Sequence, residues 1–172
     1  TDTDETTFGV FAQRYNASGE PVGSAFSVNP TPEGTQVQPV VGLGPASSGV
    51  VVYEDAPSEE SYRLSARQIG PEGVVGDRFT VLSFEGVDCR QPAIATSSSG
   101  AVAYAGNLGV QVHVIGANST EVPSPEATWL STSGSQGLPA LTFLEDDSVL
   151  ALAMIENFTG SGEPRVQVSL LG

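Results

Sequence analysis

The chain has 172 residues, 39% of them hydrophobic, with 20 Gly and 12 Pro. Twenty acidic residues stand against six basic ones, all of them Arg, giving a formal net charge of −14. That balance argues against nucleic acid or an anionic membrane as partner, since both need basic patches. No apolar run approaches the length of a membrane-spanning helix.

In chain order, the first apolar stretch is Phe8 to Tyr15, closed by the turn Asn16-Ala17-Ser18-Gly19. Pro21 to Asn29 follows as a second strand. Pro39-Val40-Val41-Gly42-Leu43 and Val50-Val51-Val52-Tyr53 flank a Pro/Ser/Gly turn and read as a hairpin. Leu64 to Gly70 and Val75 to Val81 form the next pair, around Pro71-Glu72-Gly73. The pattern then recurs with Pro92-Ala93-Ile94-Ala95, Ala101 to Tyr104 and Val110 to Gly116. It returns once more with Pro139 to Phe143, Val149 to Leu152 and Arg165 to Leu171. The runs are short and rich in β-branched residues, which favours strands over helices.

Tyr15, Ile69, Ile115 and Leu171 fall in register roughly fifty residues apart, a spacing that marks propellers and repeat arrays. Two copies of the fourth strand match at Val22/Val75, Gly23/Gly76, Phe26/Phe79 and Val28/Val81, so Phe26 and Phe79 are expected between units. Pro39, Pro92 and Pro139 are expected at equivalent strand starts, and Tyr53, Tyr104 and Leu152 at equivalent buried positions. The third fourth-strand copy, Glu121 to Leu130, carries Pro123 and Pro125 and is expected at a sheet edge. The expected fold is therefore all-β, built of β-propeller-type four-stranded units over 8–29, 37–82, 90–131 and 138–172 within one domain. A β-sandwich is the alternative.

The segment Val10 to Asn29 carries Phe11-Ala12-Gln13-Arg14, a turn to Gly19, then Pro21-Val22-Gly23-Ser24-Ala25-Phe26-Ser27-Val28-Asn29. It resembles a tandem repeat of large secreted bacterial surface proteins of adhesin-like type. The resemblance implies a propeller-forming unit, an extracellular or cell-surface setting and a structural or binding role. It implies no catalytic residue.

The candidate chemistry is sparse. His113 is the single histidine, and with Cys89 it cannot make a zinc site. Nothing marks a serine as its nucleophilic partner, and no catalytic residue is assigned. The acidic clusters Glu54-Asp55 and Glu145-Asp146-Asp147 are the weak metal candidates. Calcium is the one cofactor they admit, although neither cluster matches a calcium-loop pattern. Asn16, Asn118 and Asn157 open glycosylation sequons. Trp129 is the one candidate sugar platform, and a core tryptophan is the simpler reading. No initiator Met or leader is visible, which reads as a processed or trimmed product.

The expected role is a non-enzymatic structural or adhesive module of an extracellular or cell-surface assembly. The alternatives are a secreted carbohydrate-active enzyme and a calcium-dependent ligand-binding module. Partners are expected to be protein: self-association, or the remainder of a longer polypeptide. The terminal strands should make the contact, through Phe8, Val10 and Phe11 at one end and Val166, Val168 and Leu170 at the other.

Overall fold

The computed structural model describes residues 8–30, 33–44, 48–57, 61–83, 88–97, 101–105, 110–116, 128–130, 135–144, 150–157 and 165–171. Every regular element among them is a strand: β1 (Phe11–Tyr15), β2 (Pro21–Ser27), β3 (Thr35–Leu43), β4 (Gly49–Ala56), β5 (Arg63–Gly70), β6 (Gly73–Leu82), β7 (Ala93–Thr96), β8 (Ala101–Ala105), β9 (Val110–Gly116), β10 (Thr128–Leu130), β11 (Ser135–Phe143), β12 (Leu150–Asn157) and β13 (Arg165–Leu171). The protein is all-β. Among the described residues no helix is long and apolar enough to cross a membrane.

The strands form four antiparallel sheets of two, four, four and three, each built from consecutive strands: β1-β2, β3-β4-β5-β6, β7-β8-β9-β10 and β11-β12-β13. No sheet closes into a barrel among the described residues. The short β10 lies at a sheet edge, as expected of the segment that ends at Leu130, while Pro123 and Pro125 lie outside the described residues.

The repeat is visible in the ladders. Ala12 pairs with Phe26 and Arg14 with Val22, with a register shift between them. Ala66 pairs with Phe79 and Gln68 with Val75, with the same shift. Each shift inserts two extra residues, on β2 and on β6, which turn the strand, and Gly23 and Gly76 lie within them at φ 70 and φ 72. Only glycine enters that left-handed region without cost. Nothing lies within 4 Å of a Cβ placed on Gly76. Gly76→Ala is therefore expected to cost about 1–2 kcal/mol from backbone strain alone. The check is a urea midpoint that falls at unchanged slope.

The prolines differ from expectation in one respect. Pro92 immediately precedes β7, but Pro39 and Pro139 sit inside β3 and β11. Both occupy register shifts, Val37 to Val40 and Gly137 to Ala140, so neither has to donate to the ladder. Counted from these prolines, Val41 pairs with Val51, Ile94 with Tyr104 and Leu141 with Leu152. Val51, not Tyr53, is thus the counterpart of Tyr104 and Leu152. Counting along the apolar run shifts β4 by one pleat, because the distance from proline to turn varies between units.

β4, central in the second sheet, is covered on both faces, and all of its residues are buried. On one face Val50, Val52, Leu64, Ala66 and Cys89 form a cluster with Val40, Phe79, Val81 and Ile94. On the other, Val51, Tyr53 and Ile69 pack against Val10, Val28, Ala12 and Phe26. Phe26 and Phe79 thus both lie between sheets, half-buried. Gly42 allows β3 to approach β7: a Cβ there would meet Thr96 Cγ2 at 2.6 Å. Cys89 is a buried thiol, and its backbone N–H donates to the Tyr62 carbonyl at 2.7 Å, pinning the loop between the second and third sheets.

Candidate interaction surfaces

The two carboxylates at the end of β4 are buried, Glu54 at 3% and Asp55 at 1% exposure. Burying a carboxylate demands partners, and Asp55 has four. Its Oδ2 accepts from Arg63 at 2.9 Å, Arg78 at 2.9 Å and the Ser65 hydroxyl at 3.0 Å. Its Oδ1 accepts from Gln36 Nε2 at 3.2 Å. The chain of bonds then runs into the N-terminal hairpin. Asn29 Nδ2 donates to Gln36 Oε1 at 3.2 Å, and the Val10 N–H donates to Asn29 Oδ1 at 2.9 Å. Arg67 adds a bond to the Val28 carbonyl at 2.9 Å. Asp55, expected as a metal candidate, is the centre of the polar clamp between the first two sheets. Glu54 accepts from the Gln91 N–H at 2.8 Å, with Arg90 at 3.9 Å. Among the described residues no three acidic, His or Cys side chains group as a metal site. Glu145, Asp146 and Asp147 lie outside the described residues.

Tyr53 sits beside this clamp with its hydroxyl buried and without a partner among the described residues. Burial, then the Asp55 charge, push its pKa up to about 12, with Arg78, Arg67 and Arg63 pulling the other way. The folded state therefore holds the phenol proton more tightly than the unfolded chain does. Its stabilisation is complete below pH 10 and is lost as pH rises towards about 12. Denaturant midpoints across that range are expected to fall, and Tyr53→Phe should flatten the fall.

Pro39, Pro92 and Pro139 converge on one cleft of about 440 Å³, with Glu54 and Arg90 on its wall. Gln38 and Gln91, each directly before its proline, both have positive φ, 52 and 59. The first strands of three consecutive sheets thus meet at one place. A second depression, of about 590 Å³, runs along β1 and is lined by Phe11, Tyr15, Val41, Leu43, Val51 and Ile69. It lies where the first sheet, with two strands, fails to cover the second, with four. Val41 and Leu43 are left 54% and 59% exposed in consequence.

The expected contact residues divide. Phe8 and Phe11 are exposed, at 66% and 69%, and Tyr15 joins them at 64%. Val166, Val168 and Leu170 are exposed at 73%, 64% and 65%. Val10 is not a surface residue: at 3% exposure it belongs to the core between the first two sheets, and its carbonyl accepts from Val28 at 2.8 Å. It precedes β1 and turns inward while Phe11 turns outward. His113 pairs with Tyr104 across β9 and β8, and Trp129 with Gln111 across β10 and β9. The side chains of both lie outside the described residues, and so does Asn118. Asn157 ends β12, paired with Ser135 of β11. The side chain of Asn16 closes the β1–β2 turn, with Oδ1 accepting from the N–H groups of Ser18 at 3.0 Å and Glu20 at 2.9 Å.

No protein-family model, curated protein or solved structure matches this chain.

Proposed function

We propose that this chain is a non-enzymatic structural or adhesive module of an extracellular or cell-surface assembly, acting by protein–protein contact through its exposed apolar faces. In this reading its sheets are blades of a β-propeller-type array, two of them with all four strands among the described residues. The carrying observation is apolar surface exposed among the described residues, Phe11 with Tyr15 on the first sheet and Val166 with Val168 and Leu170 on the last. Contiguous exposed apolar surface of this kind marks interaction sites. The shared ladder shift and left-handed glycine of β1–β2 and β5–β6 support a repeating unit. The likeness of Val10 to Asn29 to repeats of secreted surface proteins supports the extracellular setting. The enzyme alternative is disfavoured because the described buried carboxylates, Glu54 and Asp55, are engaged by arginine, amide and backbone groups.

The test is a photo-crosslinking side chain placed at Phe11 or Val168 in the cells that make the protein. Protein adducts of defined mass are expected from both positions and none from Glu20, exposed at the hairpin turn. Absence of adducts at both faces would refute the reading.

A further inference from the structure

We infer that the cleft where Pro39, Pro92 and Pro139 meet is a binding site for a neutral sugar, held by the side-chain amides of Gln38 and Gln91. The inference goes beyond the contact-module reading and does not rest on it, since the exposed apolar faces and the cleft share no residue.

The walls of the cleft belong to the interior of the chain. Gln38 and Pro39 lie in β3, Glu54 in β4, Arg90, Gln91 and Pro92 just before β7, and Pro139 in β11. None of these comes from β1, β2 or β13. The volume of about 440 Å³ falls in the range of small-molecule sites.

Backbone strain gathers at this cleft. Among the described residues, Gln38 and Gln91 are the non-glycine residues with positive φ, 52 and 59. Each stands directly before a proline, where steric clash pushes a residue towards extended backbone. Strain of this kind persists only where the surroundings over-determine it, and it clusters at ligand clamps. Here the surroundings do so. Gln38 lies with Pro39 in the register shift of β3, and such bulges re-aim side chains. Gln91 is fixed through its N–H, which donates to Glu54 Oε1 at 2.8 Å. A carboxylate is costly to bury, and this one, with its side chain 4% exposed, holds a strained peptide in place. Gln38 and Gln91 are themselves exposed and line the cleft, so two amides from equivalent positions of two sheets stand on it together.

The chemistry of the walls selects the ligand. The Arg90 guanidinium lies 3.6 Å over the Tyr62 ring, its Nε donates to Asp88 at 3.2 Å, and Glu54 is 3.9 Å away. Its charge is answered inside the protein, and a chain of net charge −14 repels anions. Phosphate, sulfate and carboxylate ligands are thereby disfavoured. An extended peptide is disfavoured too. β3, β7 and β11 are edge strands, but the prolines withhold their N–H groups at the cleft, and register shifts break the edges of β3 and β11. The recognition groups are then two amides, each both donor and acceptor, beside proline rings and Val40. A neutral sugar matches that set, with hydroxyls that donate and accept on a ring with apolar C–H faces.

The experiment probes the purified full chain against an array of neutral oligosaccharides of glucose, galactose, mannose and N-acetylglucosamine, with sialylated and sulfated glycans beside them. Binders are then titrated while the side-chain amide resonances of Gln38 and Gln91 are followed. Saturable binding of at least one neutral glycan is expected, with both resonances shifting. Gln38→Gly and Gln91→Gly remove the amide and relieve the strain, so each should weaken binding at least about fivefold while raising the melting midpoint. Gln38→Asn and Gln91→Asn serve as second variants, because asparagine tolerates the left-handed backbone but carries its amide on a shorter stem. They too should bind more weakly than the parent. Binding of no neutral glycan would overturn the proposal. So would binding that both Gly variants keep at parental strength, or binding of anionic glycans alone. None of these results would touch the contact-module reading, which the crosslinks at Phe11 and Val168 test.

Discussion

Leu64→Ala is expected to destabilise the fold by about 3–5 kcal/mol, and this is the largest effect in the core. Leu64 is 0% exposed and sits among Val50, Val52, Ala66 and Cys89, with Phe79 and Val81 closing the cluster. Truncation loses the transfer energy of the removed carbons and leaves a cavity between two sheets. Stiff β-branched neighbours on paired strands cannot collapse to fill it. For a chain of this length each kcal/mol moves the melting midpoint by about 2–4 °C, so a drop of about 10 °C is expected. Val166→Ala supplies the contrast. Its side chain is 73% exposed, and the midpoint of the monomer should barely move.

Asp55→Ala is expected to cost about 3 kcal/mol, through a different mechanism. Removing one partner of a buried ion pair leaves the others uncompensated. Here the stranded groups are Arg63, Arg78, the Ser65 hydroxyl and the Gln36 amide. The two arginine side chains are 25% and 30% exposed, so they recover part of their hydration, which holds the cost at the lower end. Arg63→Ala should cost less than half as much, because Arg78 and Ser65 still serve the carboxylate. Since the clamp continues through Gln36 and Asn29 to Val10, Asp55→Ala should also loosen the N-terminal hairpin. Amide exchange at Val10 and Val28 reads this directly, and unchanged exchange there would mean the clamp ends at Gln36.

The strand order was legible in the sequence because turns and short apolar runs alternate without a break. The grouping into two, four, four and three follows from where the repeated Phe11 and Pro39 types of strand fall. The fine register was not legible. A period-two pattern does not say where a bulge inserts a residue, and bulges fall at Pro39, at Pro139 and next to Gly23 and Gly76. The clamp was hidden for another reason. Gln36 and Arg78 lie 19 and 23 residues from Asp55 and Arg63 lies on the next strand, and only the pairing of β3, β4, β5 and β6 brings them together. Asn29, directly after the core residue Val28, was the available signal, since a polar side chain buried beside a core position needs a partner. The inward turn of Val10 was hidden because it lies one residue before β1, where alternation has no strand to count from.

A contact role is read most plainly at the exposed apolar side chains themselves, with the photo-crosslinking group at Phe11 and at Val168, which are 69% and 64% exposed. Protein adducts of defined mass are expected from both positions, and Tyr15→Asp or Leu170→Asp beside them should abolish the adducts without moving the melting midpoint. A folded protein that gives no adduct at either position would contradict the contact role.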